Sequence, residues 1–123
     1  MENKTTICAI ASSLTPQSIG IIRISGSDSI KIISKIFFNK NKKEISINES
    51  HRALYGFIYD GNTLVDEVIV LPMLKPKSYT KEDVIEIQSH GGIAVLQWIF
   101  QLVIKNGAIP LFINVNIELN KIE

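Results

Sequence analysis

Short β-branched apolar runs, separated by polar turns, predict several strands along this chain. The first two runs are Thr6 to Ala11 and Ile19 to Ser25. The second contains Ile21, Ile22 and Ile24 and is too apolar for a strand with one face in water, so we expect it at the centre of a sheet. Further runs predict strands at Arg52 to Tyr59, Leu64 to Leu71, Val84 to Ile87 and Ala108 to Ile113.

A first helix is predicted directly after the second strand. Ile30, Ile33 and Phe37 lie at i, i+3 and i+7 and form one apolar face, so the pattern extends this helix through Phe37. Ser27 and Asp28 offer N-cap side chains for its first turn. We therefore expect a short helix that buries one face against the sheet.

The strongest helical pattern in the sequence covers Ile93 to Lys105, and Gly107 follows it as a C-terminal stop. Its apolar stripe consists of Leu96, Ile99, Phe100 and Val103. Asp60-Gly61-Asn62, between two predicted strands, indicates an antiparallel hairpin because glycine supplies the positive φ that tight turns need. Strands and helices thus intermix, which predicts an α+β fold: a mixed β-sheet with helices packed on it, in one domain of residues 1–123.

Charge and cysteine content narrow the possible functions. Thirteen basic residues nearly balance twelve acidic ones, and a net charge of +1 gives no argument for a general nucleic-acid-binding surface. We interpret the lysine-bearing segment Asn39 to Ser50 as a solvated connection. Cys8 is the single cysteine, which excludes an internal disulfide, and its apolar neighbours indicate a buried strand thiol.

The chain shows neither a secretory nor a membrane pattern. Its first residues lack the long apolar stretch of a signal peptide, and no run approaches the roughly 18 apolar residues of a membrane span. We expect a soluble protein of a reducing compartment, either the cytoplasm or, if the gene is organellar, the stroma or matrix.

Three positions are candidates for ligand chemistry. Arg23, between Ile22 and Ile24, must reach water, an ion pair or an acidic ligand, because unpaired burial of its charge is too costly. Glu86 is either a solvated outer-face residue or an acceptor of two parallel N–H bonds from an amidine-like ring edge. His90-Gly91-Gly92 precedes a helix and is either a simple turn or an anion site.

Several catalytic motifs are absent from the sequence. It contains no Gly-x-x-x-x-Gly-Lys-Ser/Thr phosphate loop, so we expect no GTPase activity from this chain. It also contains no His-Glu-x-x-His metal motif and no Gly-x-Ser-x-Gly nucleophile elbow. We therefore expect no catalytic residue and no metal ligand here, and no complete enzyme in this chain alone.

Four segments of the chain match the motifs of one protein family. Thr6 to Ala11 is similar to the family's opening "DTIvAiAT", and Gly20 to Gly26 is similar to "giiRiSG". Asp66-Glu67-Val68 resembles "iDEv", and Pro76 to Gly92 resembles "PxSyTgEDvvEixxHGG". Order and spacing agree over about residues 5 to 107, and the last motif is highly specific. The chain therefore resembles the MnmE (TrmE) family of tRNA-modification GTPases.

The resemblance implies a tetrahydrofolate-binding, dimer-forming N-terminal domain, similar to the folate-binding domain of the glycine-cleavage aminomethyltransferase. The implied cofactor is 5-formyltetrahydrofolate or another one-carbon tetrahydrofolate. Its implied contacts are Arg23 and Glu86 and, if Phe112 matches the family's "GEF" segment, Lys121. In that family Glu86 would accept hydrogen bonds from the pterin's amino edge, while Arg23 and Lys121 would attract folate carboxylates or the one-carbon group.

The resemblance also implies a biological setting. The family modifies the wobble uridine of certain tRNAs at carbon 5, in a carboxymethylaminomethyl-type reaction. The implied partners are a second copy of the chain in a homodimer and, through the full-length assembly, an FAD-containing MnmG-type protein, with tRNA contacted indirectly.

The sequence departs from the family pattern at several places. Ser12 to Ser18 replaces a glycine-rich loop, Lys81 replaces a glycine, and Pro110 to Lys121 replaces "PGEFtxRAFLNgK". The helical and GTPase domains of the family are missing, so we expect a fragment or a split-gene product. The alternative is a non-catalytic dimerisation or partner-binding module that has lost folate binding.

Overall fold

The computed structural model describes residues 5–12, 19–76 and 82–111, which form one seven-stranded sheet and two helices. The strands lie in the order β3-β4-β5-β6-β2-β1-β7. In chain order the elements are β1 (Ile7–Ile10), β2 (Gly20–Ser25), α1 (Ser29–Ser34), β3 (Phe37–Phe38), β4 (Leu54–Asp60), β5 (Thr63–Met73), β6 (Val84–Ser89), α2 (Ile93–Lys105) and β7 (Ile109–Pro110). The predicted α+β fold with a mixed sheet is confirmed.

Strand β2 lies inside the sheet, as its apolar sequence predicts. It pairs antiparallel with β1 and β6, so that Ile22 lies opposite Ile10 on one side and Ile87 on the other. Strand β1 pairs parallel with β7, which makes the sheet mixed. Strands β4 and β5 form the predicted hairpin, and Gly61 in its turn has φ +59°, a left-handed conformation that glycine adopts without steric cost.

Both helices pack on one side of the sheet, which we call the helix face. Helix α2 lies so close to β2 that a Cβ on Gly20 would come within 2.7 Å of Leu96 Cδ1. Ser29 at the start of α1 donates its hydroxyl to the carbonyl oxygens of Ile24 and Gly26. The buried core between sheet and helices includes Cys8, Ile22, Ile24, Ile32, Ile33, Ile58, Val68, Val70, Ile85, Ile87, Leu96, Ile99, Phe100 and Val103.

Alternate residues of the same strands point to the opposite side, which we call the open face. Neither described helix packs there, and none of its apolar members belongs to the buried core. By strand register the open face consists of Ile7, Ala9, Ile21, Arg23, Ser25, Phe38, Tyr55, Phe57, Glu67, Ile69, Leu71, Met73, Val84, Glu86, Gln88 and Ile109. Both described candidate residues, Arg23 and Glu86, therefore lie on a largely apolar surface that the helices leave uncovered.

Helix α2 has the predicted bounds, Ile93–Lys105, and its predicted apolar stripe is buried. Gly107 follows with φ +124°, consistent with its predicted role as the helix stop. Trp98 lies off the stripe, with 38% of its surface exposed, and its indole N–H donates to Asp60 at 2.9 Å. Across the described ranges, no helix has both the length and the apolarity required to cross a membrane.

The prediction that the first helix extends through Phe37 is wrong. Helix α1 ends at Ser34, and Phe37 and Phe38 form the edge strand β3, opposite Ile58 and Phe57 of β4. The Phe37 ring is fully buried where Gly56 leaves space for it, since a Cβ on that glycine would lie 2.5 Å from the ring. Burial of the Phe37 ring and pairing of β3 with β4 stabilise this segment more than one further turn of α1 would, although Phe37 also fits the helical spacing.

The predicted side-chain N-cap of α1 is also wrong. Asp28 occupies the N-cap position, but its side chain makes no capping hydrogen bond. Its amide N–H donates to Thr6 Oγ1 at 2.9 Å, from the residue just before β1. This contact satisfies the amide of the N-cap residue itself, whereas the predicted cap would have satisfied an amide of the first helical turn.

Strand lengths differ from the predicted ones in the second half of the chain. Strand β5 continues through Pro72 to Met73, and β6 continues to Ser89. Pro72 lies opposite Ile85 in β6, and its carbonyl oxygen accepts a hydrogen bond from the His51 amide at 2.7 Å. The last predicted strand appears as the two residues of β7, and its predicted end at residue 113 lies outside the described residues.

Candidate functional site

Arg23 and Glu86 form an ion pair on the open face. They lie directly opposite each other on the adjacent antiparallel strands β2 and β6. Arg23 Nε donates to Glu86 Oε1 at 3.1 Å, although 63 residues separate the two in sequence. The Arg23 side chain is 56% exposed and the Glu86 side chain only 10%, so the carboxylate is held in the sheet surface while the guanidinium reaches solvent.

Gln88 holds the other oxygen of the same carboxylate. Its Nε2 donates to Glu86 Oε2 at 2.9 Å, from two residues further along β6 on the same face. Each oxygen of a carboxylate can accept two hydrogen bonds, so Glu86 keeps acceptor capacity after binding Arg23 and Gln88. The sequence analysis did not identify Gln88, although its i+2 spacing from Glu86 places both side chains on one strand face.

Apolar side chains surround this pair on the open face. Leu71 of β5 lies opposite Glu86, and Ile69 lies opposite Gln88. Ile21 precedes Arg23 by two residues on β2 and also lies opposite Gln88. The site therefore combines a fixed, nearly buried carboxylate and an exposed cation with flat apolar surroundings. This arrangement can bind a planar heterocycle that carries N–H donors on one edge.

A surface pocket of about 420 Å³ lies at β4 and β5. Its lining residues are Tyr55, Asp66, Glu67, Val68, Ile69 and His90. Tyr55 donates its hydroxyl to Glu67 Oε2 at 2.6 Å, and this hydrogen bond raises the pKa of Tyr55 above its ordinary value of 10.0. Ile69 of the lining lies opposite Gln88, whereas Arg23 and Glu86 do not line the pocket.

Asp66 organises the turn between β6 and α2. Its Oδ2 accepts hydrogen bonds from the Ser89 hydroxyl at 2.7 Å and from the amides of His90 and Gly91 at 3.1 and 3.2 Å. Two amides that an anion would need are therefore already bound to a carboxylate, and its negative charge opposes a second anion. The contacts of Asp66 therefore favour the turn interpretation of His90-Gly91-Gly92 over an anion site.

The remaining candidates divide between buried and undescribed positions. Cys8 is 1% exposed, and burial raises the pKa of its thiol from 9.0 to about 11, so it stays protonated and unreactive at neutral pH. Lys121, and the Phe112 that aligns it with the family, lie outside the described residues. Within the described part of the chain, no group of three His, Cys, Asp or Glu side chains could hold a metal ion.

Comparison with known proteins agrees with the motif resemblance. The sequence model of the family described as "GTP-binding protein TrmE N-terminus" matches residues 6–110. The chain is 48% identical over 104 residues to the "Probable tRNA modification GTPase MnmE" of Cyanidioschyzon merolae, covering 84% of this chain and 22% of that protein. It is 47% identical over 103 residues to the "tRNA modification GTPase MnmE" of Streptococcus thermophilus, with the same coverage.

A third relative gives the same result. The "tRNA modification GTPase MnmE" of Streptococcus mutans is 50% identical over 103 residues, again covering 84% of this chain and 22% of the relative. The chain thus spans about a fifth of the length of the curated relatives it matches. Since the family model covers most of the chain, this protein belongs to the TrmE N-terminal family.

Proposed function

We propose that this chain binds a one-carbon tetrahydrofolate at the Arg23–Glu86 pair and serves as the folate-binding, dimer-forming part of a tRNA wobble-uridine modification protein. The observation that carries the proposal is the Glu86 carboxylate, fixed by Arg23 and Gln88 on the open face. A pterin presents an amino group and a ring N–H side by side, and a carboxylate with remaining acceptor capacity matches that edge.

The geometry of the pair supports this choice of ligand. Because Glu86 is already held from two sides, binding orders little that was mobile before, which lowers the entropic cost. Leu71 and Ile69 offer apolar area beside the carboxylate for the flat ring. The exposed guanidinium of Arg23 can attract the carboxylates of the folate tail or its formyl oxygen.

The wider function follows from family membership and is part of the same proposal. The matched relatives are named tRNA modification GTPases, and this chain has no phosphate loop of its own. We place its action in a larger assembly, in which a GTPase part, an MnmG-type FAD protein and tRNA complete the reaction. Glu86, Arg23 and Lys121 then position the one-carbon donor.

One observation favours the alternative of a dimerisation module without folate. The open face is largely apolar, with Tyr55 and Ile109 respectively 62% and 55% exposed. Such a surface can pair with its own copy across a two-fold axis whether or not a ligand is bound. Folate binding and self-association must therefore be measured separately.

Calorimetric titration with 5-formyltetrahydrofolate tests the proposal. We expect the purified chain to bind, and Glu86→Ala to weaken binding by roughly 10- to 150-fold, the equivalent of losing a charge-assisted hydrogen-bond pair. The matched control is Glu44→Ala, which removes an exposed carboxylate beside the β3 edge and should leave the affinity unchanged. Equal affinities of wild type and Glu86→Ala would remove Glu86 from the site, and no binding by wild type would favour the dimerisation module.

A further inference from the structure

Five of the thirteen basic residues of the chain are lysines that occur within 13 residues, in α1, at its C-cap and in the turn after β3. No Asp or Glu lies between Asp28 and Glu44. All five lysine side chains are exposed. Lys40, Lys42 and Lys43 directly follow β3, the edge strand furthest from β7. We call the surface formed by these three lysines the lysine edge.

The structure shows an ordered surface where the sequence suggested only a solvated connection. Residues 39–43 form a closed turn directly after β3, in which the Asn39 side chain accepts hydrogen bonds from the amides of Asn41 and Lys43 at 2.9 and 3.0 Å. The Asn39 amide also donates to the Lys43 carbonyl at 2.9 Å. Lys31 and Lys35 are four residues apart along α1, so they project on the same side of it.

Aromatic rings accompany the lysines. The Lys42 ammonium lies 5.2 Å from the centre of the Tyr59 ring and donates to the Asn62 side chain. Phe38 packs edge-to-face on Tyr59, with ring centres 5.9 Å apart. Neither ion pair in the described part of the chain includes a lysine, so within that part these charges have no carboxylate partner within 4 Å.

We propose that the lysine edge binds the phosphate backbone of structured RNA, the tRNA substrate of the proposed assembly, so that this domain contacts tRNA directly. Clustered exposed cations are the electrostatic footprint of phosphate recognition. The inference rests on the proposed function for the identity of the RNA, and it replaces the indirect tRNA contact expected from the sequence.

The same surface fits an anionic membrane poorly. A membrane-binding helix needs exposed apolar side chains that enter the lipid. In α1 the large apolar side chains Ile32 and Ile33 are buried in the core, at 1% and 0% exposure. The exposed large apolar residues of the described ranges lie outside the segment 31–43: Ile19, Tyr55, Leu64, Trp98, Ile109 and Leu111.

Fluorescence anisotropy with a labelled, unmodified tRNA transcript tests the proposal on the full chain. The test variant replaces Lys40, Lys42 and Lys43 with glutamine. The matched control replaces Arg52, Lys75 and Lys105 with glutamine, which also removes three positive charges, but at exposed positions outside the lysine edge. We expect the test variant to bind at least tenfold more weakly and its affinity to fall less steeply with salt, by about two units of the log–log slope, because fewer counterions are released.

Further results decide between the lysine edge and its alternatives. Replacing the same three lysines with arginine should preserve the affinity and the salt slope, which a folding defect would not. Equal weakening in the test and control variants, or no tRNA binding by wild type, overturns the proposal. So does lysine-dependent binding to phosphatidylserine vesicles without tRNA binding. Folate calorimetry on the same samples separates the two hypotheses: folate binding without RNA binding contradicts only the lysine edge, and the reverse contradicts only the folate site.

Discussion

At the scale of single residues, the carboxylates of Glu86 and Asp66 each accept several hydrogen bonds, but with different consequences. Glu86 is bound by Arg23 and Gln88, and it retains acceptor capacity on a face open to a ligand. Asp66 gathers its three donors on a single oxygen, from one side chain and two main-chain amides. Glu86 therefore suits the proposed ligand binding, whereas Asp66 holds the turn that starts α2.

Replacing Asp66 with alanine should destabilise the fold. The substitution leaves the buried Ser89 hydroxyl and two amides without their carboxylate partner, and lost hydrogen bonds to a charged group cost about 1.5–3 kcal/mol. Urea unfolding followed by circular dichroism measures the change in the free energy of unfolding. Asp28→Ala is the control, since the Asp28 side chain makes no capping bond, and its effect should stay within about 0.5 kcal/mol. Equal effects of the two substitutions would contradict the assigned role of Asp66.

The buried thiol of Cys8 should make stability fall at alkaline pH. Folding raises the pKa of this thiol from 9.0 to about 11, so the neutral form predominates in both states below pH 9. Between pH 9 and pH 11 the thiol ionises mainly in the unfolded chain, which stabilises the unfolded state. The free energy of unfolding should therefore fall by up to about 2.7 kcal/mol. Urea unfolding at intervals from pH 8 to about pH 11 tests this against Cys8→Ala, because other groups also titrate in that range. Parallel curves for the two proteins would show that Cys8 makes no such contribution.

At the scale of elements, the β3–β4 contact depends on one missing side chain. Gly56 of β4 leaves room for Phe37 of β3, and a Cβ there would meet Phe37 at 2.5 Å and Ile45 at 2.7 Å. The turn glycine of the neighbouring hairpin, Gly61, has φ +59° and no atom within 4 Å of its would-be Cβ. The two glycines therefore serve different purposes, close packing in one case and backbone conformation in the other.

Two substitutions separate these purposes. Gly56→Ala should destabilise the fold by about 1–3 kcal/mol, because a buried aromatic ring must move to admit the methyl group. Gly61→Asn should cost less than about 1 kcal/mol, since asparagine tolerates the left-handed conformation and the space there is open. Thermal unfolding gives both values, and a larger loss from Gly61→Asn would contradict the packing argument.

At the scale of the whole molecule, the sheet separates two surfaces of different character. The helix face buries the core, while the open face carries the ion pair among apolar residues that neither helix covers. At the β3 edge, the lysine edge adds a third, positively charged surface. RNA would therefore bind apart from the open face, which folate and a second copy would share.

Self-association should depend on the open face. We expect a homodimer that folate tightens if both copies contact the ligand, because a ligand bound by the associated form shifts the equilibrium by mass action. Ile69→Lys places a charge in the centre of this face and should weaken the dimer at least tenfold. The control Gln101→Lys adds the same charge to the exposed side of α2. Sedimentation at micromolar concentration, with and without 5-formyltetrahydrofolate, measures both, and a wild type that stays monomeric with saturating ligand would contradict the prediction.

Features that arise from local patterns could be predicted from the order of the amino acids alone. The α2 periodicity gave that helix its correct bounds, Asp60-Gly61-Asn62 gave the hairpin, and the alternation around Glu86 placed it opposite the core side chains. The motifs identified the family because they are read in order along the chain. These features depend on contacts within a few residues, or on residue identity alone, and they need no knowledge of the sheet order.

Contacts between groups that are distant in sequence could not be predicted without the folded chain. Phe37 fits a helix by spacing, yet its burial beside Gly56, 19 residues later, places it in a strand. Arg23, Glu86 and Gln88 become one site only through the register of β2 against β6, and Asp66 reaches the His90 turn only through the register of β5 against β6. A shift of one residue in either register would turn these side chains to the opposite face, and no local pattern in either strand specifies its partner.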